Sequence, residues 1–180
     1  GSIPLVLRRY ARAVMSIELT LHGAAGGVTG SCVEVRTPRS HLLVDCGLFQ
    51  GGPSTEARNR RRLPVDPADL DAILITHAHV DHVGRLPTLD VERLRGPILA
   101  TDATVDLTAI ILRDAAHLQE QDARRLARRR RRRGRPGGPE RHGRGAVAPL
   151  YGAEDVDPVL RRFEAVAYDE PVRVAEDVTA

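Results

Sequence analysis

Four apolar residues, Ala72-Ile73-Leu74-Ile75, run without a polar break and stop at Thr76-His77-Ala78-His79-Val80-Asp81-His82. A short apolar run that does not alternate is the pattern of a strand buried on both faces, so this chain must cover its strand from two sides. Thr76 to His82 then lie at the carboxyl end of that strand, where open α/β sheets place their functional sites.

This segment packs three imidazoles and a carboxylate into six residues. Zinc takes nitrogen, sulfur and carboxylate oxygen ligands, and a catalytic site holds it with about three protein groups and leaves a position for water. His77 and His79 supply two ligands for one ion. Asp81 and His82 lie further along the chain and serve a second ion. A spacing of i and i+2 belongs to a loop, whereas helical zinc motifs space their histidines at i and i+4. A single histidine is ordinarily a surface or capping residue; four ligand-type residues in this order define a dinuclear centre. Such a centre suits hydrolysis of phosphodiesters, lactams or thioesters, because two metals clamp both the attacking and the leaving oxygen.

Ile73 to Pro87 (ILITHAHVDHVGRLP) resembles the second motif of metallo-β-lactamase-fold hydrolases, and Leu42 to Gly51 (LLVDCGLFQG) resembles the first. Gly26 to Cys32, Gly84 to Pro87 and Ala115 to Glu120 resemble the β-CASP branch, whose members process RNA. The resemblance implies an α/β (α+β) fold, the αββα sandwich of two mixed sheets enclosed by helices, of which this chain encodes roughly the first half. It implies two zinc ions, with His77 and His79 on one and Asp81 and His82 on the other. Asp81 is then placed to take a proton from the attacking water. Asp45 becomes a carboxylate that orients the loop, since a ligating histidine needs its other nitrogen held. The family pattern continues with a further histidine, a bridging aspartate and an inserted domain. None has a counterpart here, and His22, His41, His117 and His142 do not fill the gap, so an amino-terminal part of a larger enzyme is expected.

Around these motifs, Ile17, Leu19 and Leu21 alternate with Glu18, Thr20 and His22, the period of a half-buried strand. Gly23 to Gly30 is a glycine-rich turn, and Cys32 to Arg36 with His41 to Asp45 reads as a hairpin around Thr37-Pro38-Arg39-Ser40. A helix begins at His82 or Val83, and Ile98-Leu99-Ala100 is a further strand. Thr101 is positioned to cap a long helix in which Leu107, Ile110, Ile111, Ala115 and Leu118 mark the buried face. Residues 1–14 precede the only methionine, Met15, and are an extension or remnant; the domain occupies 15–180.

With 3% aromatic residues and no Trp, the core must be built from Leu, Val, Ile and Ala. Cys32 and Cys46 lack metal-type spacing and read as small buried residues of a protein in a reducing compartment, the cytoplasm. No run approaches the roughly 20 apolar residues of a membrane span. Every basic residue is arginine, and Arg128 to Arg133 opens a segment over 128–145 that reads as flexible. Arg129, Arg130, Arg131 and Arg132 are candidate RNA contacts, since an arginine run gives salt-dependent affinity for phosphates. The same run also reads as a solvated helix end with no dedicated partner. It is the β-CASP-like resemblance that implies RNA as the partner and a zinc-dependent ribonuclease as the activity, and the arginines agree with it. The alternatives are a thioester or lactam hydrolase of the same fold and an inactive fragment or RNA-binding module. A partial sandwich also exposes an apolar sheet face, so self-association or a dimer is expected.

Two protein ligands for each metal fall short of the usual three. The chain alone is accordingly expected to bind zinc weakly and to show little or no turnover. Calorimetric titration checks this, and tight stoichiometric uptake of two zinc ions would sink it.

Overall fold

The doubly apolar run forms the middle of a six-stranded sheet. The computed structural model describes residues 16–132 and 148–180. Its strands β1 (Glu18–Leu21), β2 (Val33–Arg36), β3 (His41–Val44), β4 (Ala72–Leu74), β5 (Ile98–Thr101) and β6 (Phe163–Val166) stand in chain order across the sheet. The first two pairings are antiparallel and the last three parallel. In β4, Ile73 joins Leu43, Ile98 and Ala100 on one face, and Ala72 joins Leu42 and Leu99 on the other. Both Ala72 and Ile73 are fully buried, as an unbroken apolar strand requires.

Helices cover the first face. A short turn α1 (Pro53–Glu56) lies in the β3–β4 connection, α2 (Val80–Val83) comes directly after β4 and its loop, and α3 (Asp102–Arg132) with α4 (Val156–Leu160) connects β5 to β6. Val83, Leu112, Ala116, Val156 and Val159 are buried there. The second face carries a hairpin, β7 (Arg173–Ala175) and β8 (Val178–Thr179), whose Val174 packs on Leu42, Ala72 and Leu99. The layering is helix, sheet, sheet.

The hairpin is latched to the β2–β3 turn. The Asp177 carboxylate accepts hydrogen bonds from the hydroxyls of Ser40 and Thr37 (2.7 Å for Thr37), and Arg39 pairs with Glu176 at 3.0 Å. The Ser40 and Thr37 hydroxyls hold the Asp177 carboxyl below its ordinary range. A carboxyl lowered by folding favours the folded state above its unfolded pKa, so the latch is complete at neutral pH and weakens only as acid titrates it. On the same strand pair, Glu34 bridges His22 and His41 at 2.7 and 2.8 Å and also accepts from Arg36 at 2.7 Å. Burial alone would raise the Glu34 carboxyl; the hydrogen bonds from His22, Arg36 and His41 outweigh it and lower it.

The structure departs from the sequence reading at four places. Helix α2 starts at Val80 rather than at His82 or Val83, so the second metal-motif pair lies within its single turn. The buried face of α3 is made by Thr104, Thr108, Leu112 and Ala116 at strict i, i+4 spacing, with Ile111 and Ala115 partly buried beside it. Leu107, Ile110 and Leu118 face outward at 53, 65 and 53% exposure. Small residues on the inner face let the helix approach the sheet closely, and they win over bulk. The helix also continues through Arg128 to Arg132, where a flexible segment was expected; arginine is a good helix former, and positive charge suits a helix carboxyl end. Thr101, the expected cap, ends β5 and stands immediately before α3, and its hydroxyl donates to the Thr104 hydroxyl at 3.0 Å. The expectations for residues 1–14, for 133–145 and for His142 lie outside the described residues.

Strand β1 is the fourth departure. Ile17, Leu19 and Leu21 are 68, 59 and 56% exposed, because the hairpin packs on the middle of the second face and, among the described residues, no second layer covers the β1 edge. This apolar edge is expected to drive concentration-dependent association of the chain. Sedimentation velocity should find species heavier than a monomer, and replacing Ile17, Leu19 and Leu21 with Ser should return the monomer. A wild-type chain that is monomeric at high concentration and melts cooperatively disposes of this expectation.

Candidate metal centre

The centre is built where two loops at the carboxyl ends of β3 and β4 lock together. After Val44 the chain turns at Asp45, which adopts a left-handed conformation with φ 60°. Aspartate tolerates that region better than most residues, and its short carboxylate can then reach back into the fold. The next residues run alongside the metal loop. Cys46 N–H donates to His82 O at 2.7 Å, Leu48 N–H to Val80 O at 3.1 Å, and Arg85 N–H to Cys46 O at 2.8 Å. Ser31 closes the assembly by donating its N–H to Asp81 O and accepting from Gly47 N–H, both at 2.8 Å. Gly47 is required here, since a Cβ on it would stand 1.6 Å from Asp81 O.

Asp45 is 2% exposed, and its carboxylate accepts four hydrogen bonds from three residues. Thr76 gives its N–H at 2.9 Å to Oδ1 and its hydroxyl at 2.9 Å to Oδ2. Ser31 Oγ donates to Oδ2 at 3.1 Å, and His82 Nδ1 donates to Oδ2 at 2.7 Å. That last bond fixes the tautomer of His82: the proton sits on Nδ1 and the Nε2 lone pair is free. Nε2 lies 3.8 Å from Asp81 Oδ2. The ring of His77 packs against those of His79 and His82, with centroids 4.6 and 3.9 Å apart. His77 Nε2 and His79 Nδ1 are 3.1 Å apart.

These distances test whether a metal fits. Two nitrogens on one tetrahedral zinc at the usual bond length lie about 3.3 Å apart. The His77–His79 nitrogen pair stands close to that separation, and the His82–Asp81 pair is slightly wider. Among the described residues no three His, Cys, Asp or Glu donors converge on one point. The donors come in twos, His77 with His79 and Asp81 with His82, and their chemistry fits zinc.

The structure thus brings together His77, His79, Asp81, His82 and Asp45. Arg129 is exposed near the end of α3, about 40 Å along that helix from Asp102 at the rise of an α-helix, and is not part of the centre. The side chains of Arg130, Arg131 and Arg132 lie outside the described residues. His117 is exposed and bonds Gln121 at 2.6 Å, in keeping with a helix-surface residue. Cys32 and Cys46 are free and each 1% exposed. The Cys32 thiol is pushed up by its hydrogen bond with Cys46 and then by burial, so it stays protonated. Two contributors escaped the sequence reading, Thr76 and Ser31. Thr76 stands inside the motif, where attention goes to the ligands, and only Ser31's place in the glycine-rich stretch hinted at proximity.

Residues 25–93 match the family described as the Metallo-beta-lactamase superfamily. Over those residues, which include the whole metal loop, the chain is similar to that superfamily. It is 38% identical over 152 residues to the protein named Ribonuclease TTHA0252 of Thermus thermophilus, covering 84% of this chain and 28% of that one. It is 30% identical over 164 residues to Transcription termination factor FttA of Cenarchaeum symbiosum, covering 90% of this chain and 22% of the relative. A solved structure of the metallo-beta-lactamase SMB-1 aligns at 24% identity with a TM-score of 0.41, over 85% of this chain and 46% of the other. The chain therefore spans between about a fifth and just over a quarter of the length of these two curated relatives. No helix among the described residues is long and apolar enough to cross a membrane.

Asp45→Asn keeps the size and the tolerance for the left-handed turn but offers His82 a weaker partner. It is expected to lower zinc affinity by about 10- to 100-fold, the usual cost of removing a partner of a ligating histidine. It should also cost about 2 kcal/mol in urea unfolding. Ser31→Ala, which removes one donor only, should cost about 1 kcal/mol and leave zinc affinity unchanged. Equal zinc affinity in Asp45→Asn and wild type overturns the orienting role.

Proposed function

We propose that this chain carries the metal loop of a zinc-dependent hydrolase that cleaves RNA phosphodiester bonds, working in the cytoplasm. The observation that carries the hydrolase reading is the orientation of His82 by Asp45 within a cluster of three imidazoles and Asp81. The choice of RNA is supported by the names of its relatives and by the last turns of α3, where Arg124, Arg125, Arg128 and Arg129 are exposed and no acid occurs from Arg124 to Arg132.

His77 and His79 would hold one zinc ion, and Asp81 with His82 the other. When bound, a pair of such ions supplies a nucleophile at neutral pH and neutralises charge that develops on the phosphoryl group. The chain's own residues set the stage for that. Asp45 holds the Nδ1–H of His82 and so turns Nε2 toward the site. The locked loops hold the donors in place before any ion arrives, which removes the cost of ordering them. Asp81, half-buried at the start of α2, accepts the proton released by the attacking water.

The reading is tested in a chimera, with residues 16–180 replacing the aligned segment of the Thermus ribonuclease. The expected result is metal-dependent RNA cleavage that is abolished by chelation. Asp81→Ala in the chimera should reduce turnover by about 10²- to 10⁴-fold, as loss of a general acid or base does. A chimera that folds and loads zinc yet leaves RNA intact overturns the proposal.

A further inference from the structure

The connection after the first motif carries a second basic feature, close to the metal loop and separate from the arginines of α3. Phe49 is 4% exposed, and its ring rests on Gly30, where a Cβ would meet the ring at 2.4 Å. The guanidinium carbon of Arg58 stands 3.8 Å from the Phe49 ring centroid, at stacking distance, while Arg58 itself is exposed. Asn59 ties the two segments together: its side chain accepts from Phe49 N–H at 2.8 Å and donates to Phe49 O at 2.9 Å. A single surface cation–π contact would leave the guanidinium loosely held. Here the neighbouring residue clamps the backbone that carries the ring.

This segment is bound to the metal loop from both sides. Leu48, next to Phe49 in the chain, donates its N–H to Val80 O. Arg85, just beyond the metal motif and 4% exposed, donates from Nη2 to Arg61 O at 2.7 Å. Arg60 Nη2 donates to Ala148 O at 2.7 Å and fixes the outer side. Between Glu56 and Asp66 the stretch holds Arg58, Arg60, Arg61 and Arg62 and no acid, and Arg58, Arg61 and Arg62 are exposed. A guanidinium held over a ring and exposed to solvent is a group on which an unpaired base stacks, and neighbouring arginines suit the phosphates on either side of it.

We infer that Arg58, laid on Phe49, is a stacking platform for one base of a single-stranded RNA at the edge of the metal centre, with Arg61 and Arg62 contacting the adjoining phosphates. The inference rests on the proposed RNA substrate. It adds a binding residue that touches a base and takes no part in the chemistry.

The test uses the chain in chelator, so that binding is read without cleavage, and a set of oligoribonucleotides of about ten residues with 2-aminopurine scanned through them, a length within usual single-strand site sizes. Wild type is expected to quench the fluorescence at one position. Arg58→Ala should abolish the quench and weaken affinity roughly tenfold, within the range for losing one stacked base. Arg58→Lys keeps the charge and the contact with Phe49 but loses the plane, and should behave like Arg58→Ala. Arg61→Gln and Arg62→Gln should each reduce the salt slope by about one unit and keep the quench. A quench that survives in Arg58→Lys overturns the platform while the RNA reading stands. Wild type that binds no RNA at any salt overturns both. A chimera that cleaves no RNA, beside an intact Arg58-dependent quench, overturns the hydrolase reading alone.

Discussion

The Asp45 carboxylate is the interaction on which the centre depends. A buried charge is tolerated only when its lone pairs are filled, and here donors from three segments of the chain fill them. Three segments supply them: Ser31 directly follows the glycine-rich turn, Thr76 lies just past β4 and gives two, and His82 comes from α2. The carboxylate is therefore the point at which the turn, the strand end and the helix are fixed relative to one another. The left-handed backbone at Asp45 is the local cost, on the order of 1 kcal/mol, and the hydrogen bonds offset it.

The parts of the fold that could be read in advance were those in which a residue's neighbours in sequence are also its determinants. The β2–β3 hairpin, with its turn at Thr37 to Ser40, and the apolar run of β4 are of this kind. The orientation of α3 was not legible, because apolar positions occur around most of its circumference. Which side turns inward depends on how closely the sheet and α4 approach, and Thr104 and Thr108 permit an approach that Leu107 and Ile110 do not. The same holds for β1, whose period of two identified a strand and said nothing about whether a second layer reaches its edge.

At the centre, residue types announced themselves by chemistry. Four potential ligands in six residues left little freedom, and Asp45 met the need to hold an imidazole proton. The participation of Ser31 and Thr76 was hidden because a hydroxyl is consistent with almost any polar setting. The pairing of Phe49 with Arg58 was hidden for another reason: it joins residues across a connection whose course is set by Asn59 and by Arg85 from beyond β4. Contacts that depend on the path of a loop have no local signature.

Gly47 gives the architecture an unusual point of fragility. It binds no ion, carries no functional group and would draw no attention in a survey of ligands. Yet the Asp81 carbonyl occupies the space where any side chain would begin. An inherited change at this codon would displace the loop bearing Asp81 and His82 while every ligand remained in the gene. In a genetic screen such an allele would be indistinguishable from the loss of a metal ligand, and only the backbone would explain why.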